Sequence, residues 1–142
     1  MSTYETDFYR WTHEQAAAIR AGRFNELDLQ NIAEELESMG RSEKRALDSR
    51  LTVLLAHLLK WRHQPARRGK SWQLTIKGQR LAVADVLDDN PGLTAKLPEI
   101  LTHAYRRAVI DASSETGLDE ELFAADCPWT FDQIVDAGFF PE

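Results

Sequence analysis

The sequence predicts an all-α fold, and three observations carry that prediction. Apolar residues recur at three- and four-residue spacing along most of the chain, and no stretch alternates in the manner of a strand. Helix-starting residues stand ahead of those stripes, and glycine or proline follows them. A length of 142 residues, 43% hydrophobic and 28% charged, fits one globular domain, residues 1–142, able to bury a core without disulfides or metal. The expected architecture is a single-domain helical bundle of about five helices plus a short C-terminal one.

The first helix is expected from about Asp7, carrying Phe8, Trp11, Gln15 and Ile19. Thr12 and Gln15 have the form of a capping box, which predicts a start or restart at Thr12, and Gly22 closes the last turn. Asp28 is a good N-cap for a second helix, in which Leu29, Ile32, Ala33, Leu36 and Met39 make one apolar stripe, Glu34, Glu35 and Glu37 face away, and Gly40 is the stop. Ser42 then caps a third and longest helix to about Gln64. Its face of Leu47, Leu51, Leu54, Leu55, Leu58 and Leu59 is the best core candidate in the chain. Pro65 ends it, and a basic connector follows.

Ser71 opens a fourth helix with Trp72, Ile76, Val83, Val86 and Leu87 on one side. Gly78 lies in its middle, at a cost of about 1 kcal/mol relative to alanine, so either a neighbour packs closely there or the helix bends. A turn at Asp88–Gly92 leads to a fifth helix, with Pro98 in its first turn and Gly117 at its end. Thr130 and Gln133 form a second capping box for a short terminal helix, stopped by Gly138. Leu51, Leu54, Leu58, Trp72, Ile76, Leu101 and Tyr105 are expected in the core, with Phe139 and Phe140 folded back onto it.

Composition narrows the functional classes. One cysteine, Cys127, forms no internal disulfide, and no paired-cysteine metal motif exists, so it reads as structural. The start Met1-Ser2-Thr3-Tyr4-Glu5 has no basic stretch followed by an apolar one, and no apolar run approaches the ~18 residues of a membrane span. The expectation is a soluble, cytoplasmic protein of bacterial type, without membrane contact, cofactor or metal, and with its oligomeric state open. Serine nucleophile elbows, phosphate-cradling glycine loops and dinucleotide fingerprints are absent.

Charge is segregated. Residues 41–80 hold 11 Lys/Arg and two acids, whereas the rest of the chain holds 6 Lys/Arg and 21 Asp/Glu. An acidic protein with one cationic segment has an electrostatic direction, so something anionic belongs near residues 41–80. It can be an acidic partner, a nucleic acid or the chain's own carboxylates. Asp85, Asp88, Asp89 and the cluster Asp119-Glu120-Glu121 are available to neutralise Arg67, Arg68 and Lys70 on folding.

Several stretches resemble one family. They include Tyr4–Trp11, Gly22-Arg23-Phe24, Leu27-Asp28-Leu29, Ala33–Gly40, Leu54–Trp61, Gln64-Pro65 and Ser71-Trp72. Together they are similar to the domain of unknown function 29 of cyanobacteria and proteobacteria, across nearly the whole chain and including Cys127-Pro128. The resemblance implies an all-helical fold and no activity.

Two constellations carry candidate chemistry. Arg50 and His57 lie seven residues apart, two turns on one helix side, at the edge of the leucine face. An arginine and a histidine at this spacing resemble the motif of the metal-independent ribonucleases called higher-eukaryote-and-prokaryote nucleotide-binding domains. Imidazole would move a proton at a ribose hydroxyl or leaving oxygen, and guanidinium would grip phosphate. Leu51 stands where that motif usually has a polar residue, and a histidine at a core rim is commonly a hydrogen-bonded structural residue. The second constellation runs from Lys60 to Trp72, with Lys60, Arg62, Arg67, Arg68 and Lys70 placed around Trp61 and Trp72. Single-stranded nucleic acid binds by stacking on aromatics while cations hold phosphates. The favoured reading is plainer: Trp61 continues one apolar stripe and Trp72 starts another, so both fit core anchors beside a solvated basic loop.

Three readings follow. The favoured one is a non-enzymatic binding or regulatory module using residues 41–80 on an acidic partner. The others are a metal-independent ribonuclease built on Arg50 and His57, and a sequence-tolerant nucleic-acid binder using the Trp61–Trp72 segment.

Overall fold

The computed structural model describes residues 2–142. The fold is all-α. Its helices are α1 (Thr3–Thr6), α2 (Phe8–Arg20), α3 (Leu29–His63), α4 (Lys70–Asp89), α5 (Leu97–Thr116) and α6 (Phe131–Val135), joined by 3-10 turns, and there is no strand among the described residues. The backbone divides into two compact units, Met1–Arg41 and Ser42–Glu142.

In the first unit Asp7 caps α2, its carboxylate accepting from the Arg10 amide at 3.1 Å. The predicted restart at Thr12 does not occur. The helix is already running, so the Thr12 hydroxyl donates back to the Tyr9 carbonyl at 2.7 Å. Gln15, the other half of that expected box, instead accepts from the Asp28 amide at 2.8 Å. Gly22 closes the segment in the left-handed region at φ 74°, as expected. Trp11 is buried, and its indole N–H donates to Asp28 at 3.1 Å. Asp28 is thus fixed twice, because it also caps α3 through the Asn31 amide. Its carboxyl is held below the usual carboxylate range, chiefly by the Asn31 side-chain amide.

The expected break at Gly40 is absent, and the second and third predicted helices are one helix, α3. A glycine stop requires a left-handed turn. Among the described residues only Gly22 and Gly117 take positive φ. Helical Gly40 merely weakens the helix, and Ser42 lies within it rather than capping it. The apolar stripe ahead of Gly40 does not become core either. Leu29, Leu36 and Met39 are all more than three-fifths exposed.

The hydrophobic core forms within the second unit. Leu47, Leu51, Leu54, Leu55, Leu58 and Leu59 of α3 are fully buried with Ile76 and Val83 of α4, Ile100, Ala104, Tyr105 and Ala108 of α5, and Ile134 of α6. Trp72 and Leu101, both expected in the core, are only partly buried. The Tyr105 hydroxyl donates to the Ala124 carbonyl at 2.7 Å, and burial pushes its pKa up to about 12. The Thr130–Gln133 capping box forms with both of its reciprocal bonds. Phe139 and Phe140 fold back, Phe140 tilted onto Trp61 at 4.8 Å and Phe139 edge-on to Trp129 at 6.2 Å. Gly78 has nothing within 4 Å of where a Cβ would stand, so no close neighbour explains it. Among the described residues no helix is long and apolar enough to cross a membrane.

Candidate functional site

The cationic segment folds into the end of α3, a 3-10 turn at Pro65–Arg67 and the whole first half of α4. Its positive groups have three fates. Arg41, Lys44 and Lys60 pair with carboxylates: Arg41 with Glu34 at 3.3 Å, Lys44 with Glu99 at 3.1 Å and Lys60 with Glu115 at 2.5 Å. Arg68 and Arg80 are satisfied by backbone carbonyls. Arg68 Nε donates to Trp61 at 2.6 Å, while Arg80 donates to Ile134 at 2.8 Å, Phe139 at 2.6 Å and Ala137 at 3.4 Å. Arg45, Arg50, Arg62, Arg67, Lys70 and Lys77 are exposed and, among the described residues, have no carboxylate within ion-pair distance. The acids at 85, 88, 89 and 119–121 do not neutralise Arg67, Arg68 or Lys70.

The tryptophans of this segment face inward in part. Trp61 carries Phe140 on its ring, and the Arg68 guanidinium carbon lies 5.3 Å from the ring centre. Trp72 has the Lys60 ammonium at 5.4 Å. Lys60 is itself buried, so its stem and charge are committed to Trp72 and Glu115. Arg80 is 6% exposed and faces no paired carboxylate. Burial pulls its pKa down, and Asp136 opposes this. It lies at the end of the cationic segment 41–80, and the fold uses it to hold the backbone between Ile134 and Phe139.

Arg50 is exposed on α3 and His57 is half-buried. The His57 Nδ1 lies 2.9 Å from the Val53 carbonyl, so the neutral ring keeps its proton there and leaves Nε2 as an acceptor. Burial lowers its pKa below the usual imidazole value and Lys60 adds to this, against the Val53 bond and Glu115. His63, edge-on to Phe123 at 4.7 Å, is lowered by burial and by Arg62. Cys127 is half-buried, and burial raises its thiol pKa, against the Trp129 carbonyl bond.

One arrangement escapes sequence reasoning. His103 Nδ1 lies 2.6 Å from Asp48, whose other oxygen accepts from Thr52 at 3.2 Å. The Lys44–Glu99 pair shares the same surface concavity. Asp48 and His103 are 55 residues apart, and no local spacing announces their meeting. No cluster of three or more potential metal ligands exists among the described residues.

The fold and this carboxylate-poor turn define a small, all-helical protein with a solvent-facing cationic junction between two long helices. The model of the family described as domain of unknown function DUF29 matches residues 3–140, and the chain belongs to that family. No curated protein and no solved structure matches it.

Proposed function

We propose that the chain is a binding module that takes an acidic protein partner at the α3–α4 junction. The observation that carries this reading is the set of exposed cations, Arg62, Arg67 and Lys70 foremost, left without carboxylate partners in a protein of net charge −6. Their field is concentrated at one turn and would accelerate encounter with an anionic surface. Stacking of nucleic-acid bases is less well supported, because Trp61 and Trp72 already carry Phe140, Arg68 and Lys60 on their rings.

The test is direct. Polyglutamate should bind the full chain at low salt and weaken as salt rises. The triple change Arg62→Glu, Arg67→Glu, Lys70→Glu should weaken it at least ~tenfold. Arg68 is left out because it is tied to Trp61 and its loss would disturb the fold. No polyglutamate binding at low salt overturns the reading. A single-stranded RNA that binds more tightly than polyglutamate, with a steep salt dependence, moves the site to nucleic acid.

A ribonuclease centred on Arg50 and His57 is the second reading. It is favoured by one observation: a neutral imidazole whose Nε2 is free to accept a proton. RNA cleavage unchanged by His57→Ala, or absent from the purified chain, ends it.

A further inference from the structure

The exposed side of α4 has a pattern that the core does not use. Lys70, Leu74, Lys77, Leu81 and Ala84 follow one another at alternating four- and three-residue steps, a seam that winds in register with a second helix. Leu74 is 56% exposed and Leu81 60% exposed, each flanked by an unpaired lysine or by Ala84. Leu74, Lys77, Leu81 and Ala84 of this seam form one wall of a groove of about 640 Å³, and Lys70 stands one turn before Leu74, outside the lining. The opposite wall is Val135, Ala137 and Phe140 of the C-terminal segment.

That second wall is held from below. Arg80 sits at the groove and binds the carbonyls of Ile134, Ala137 and Phe139, and its guanidinium carbon lies 5.4 Å from the Phe140 ring. The groove is therefore built before anything enters it, which lowers the ordering cost of binding. It is apolar along its walls and carries one exposed, unpaired cation, Lys77, while the donors of Arg80 are taken up by the three carbonyls.

We infer that this groove docks an acidic amphipathic helix whose contact seam alternates leucine-like and glutamate-like residues at three- and four-residue spacing. The apolar positions meet Leu74, Leu81 and Phe140, and the carboxylates meet Lys70 and Lys77. Charge complementarity and the seam spacing select this occupant over a disordered acidic chain, which needs no such register. The inference rests on the acidic-partner reading above and gives that partner a secondary structure and a place on the molecule.

The experiment uses the full chain and a fluorescently labelled synthetic helix with that alternating leucine–glutamate seam, followed by anisotropy. A peptide of the same composition with the seam out of register should bind at least ~tenfold more weakly. The double variant Leu74→Ser, Leu81→Ser should lose ~tenfold or more for the in-register helix and leave polyglutamate binding unchanged. Both leucines are solvent-facing, so circular dichroism of the variant should match the parent. Lys77→Glu should weaken the in-register helix by a similar factor. Equal binding of the two peptides, or a double variant that binds the helix as the parent does, overturns the groove while leaving the cationic junction standing. Loss of polyglutamate and helix binding together in the parent sinks both. If the double variant instead converts a dimer to a monomer in sedimentation, and the helix does not compete with that dimer, the groove takes a second copy and this assignment is wrong.

Discussion

The two ends of α3 have the same sequence pattern and opposite fates. Leu29, Ile32, Leu36 and Met39 repeat at three and four residues, as Leu47, Leu51, Leu54 and Leu58 do. The later set is completely buried in the second unit, whereas Leu29, Leu36 and Met39 are mostly in water. Periodicity states which side of a helix is apolar. Whether that side finds cover depends on what the rest of the chain supplies, and within the second unit α4, α5 and α6 supply it around residues 47–59.

The difference should be largest for matched leucine truncations. Leu54→Ala should cost about 3 kcal/mol by urea denaturation, through lost burial and an unfilled cavity. Leu36→Ala on the same helix should move stability by no more than about 0.5 kcal/mol. Equal costs would mean that the stripe of the first unit is covered. Next in size is Arg80→Ala, expected to cost about 2 kcal/mol because carbonyls of Ile134 and Phe139 lose their donors. Limited proteolysis should then cut first in the C-terminal segment, and cutting elsewhere first would count against the clamp. The smallest effect runs the other way. Gly40→Ala and Gly78→Ala place a methyl in open space on helical backbone, so each should stabilise by about 0.5–1 kcal/mol. A destabilised Gly78→Ala would reveal a bend or partner at α4 that the backbone geometry does not require.

Most of the fold was legible because its signals are local. Asp28 and Thr130 cap helices where their sequence positions predict, the first long helix starts near Asp7 as expected, and Gly22 and Gly117 turn left-handed where stripes end. The errors share a cause. Thr12-Gln15 and Thr130-Gln133 have the same capping form, but a cap acts only where no helix precedes it, and Asp7 has already started α2. Gly40 reads as a stop by type, yet the residues beyond it favour helix enough to carry through.

The site was less legible, since charge composition does not reveal which cations find partners. Arg62, Arg67 and Lys70 are exposed, an outcome that the segregation of charge left open. Lys60 and Arg68 are drawn into the interior by Trp72 and Trp61, and Arg80 by the C-terminal carbonyls. The Asp48–His103 pair lay beyond reach because both of its members look ordinary in their own helices and meet only through packing.

The hydrogen bonds of the Arg80 clamp all go to main-chain oxygens of the terminal segment, and its one side-chain neighbour there is the Phe140 ring. Such a grip is indifferent to the side chains it holds. Substitutions at positions 137 and 139 can therefore accumulate without loosening the anchor so long as the peptide path is kept, whereas the arginine has no equivalent substitute. Lysine brings one ammonium where three separate nitrogens are in use. Tolerance to change in this region should be lopsided, strict at one residue and permissive across the segment it secures.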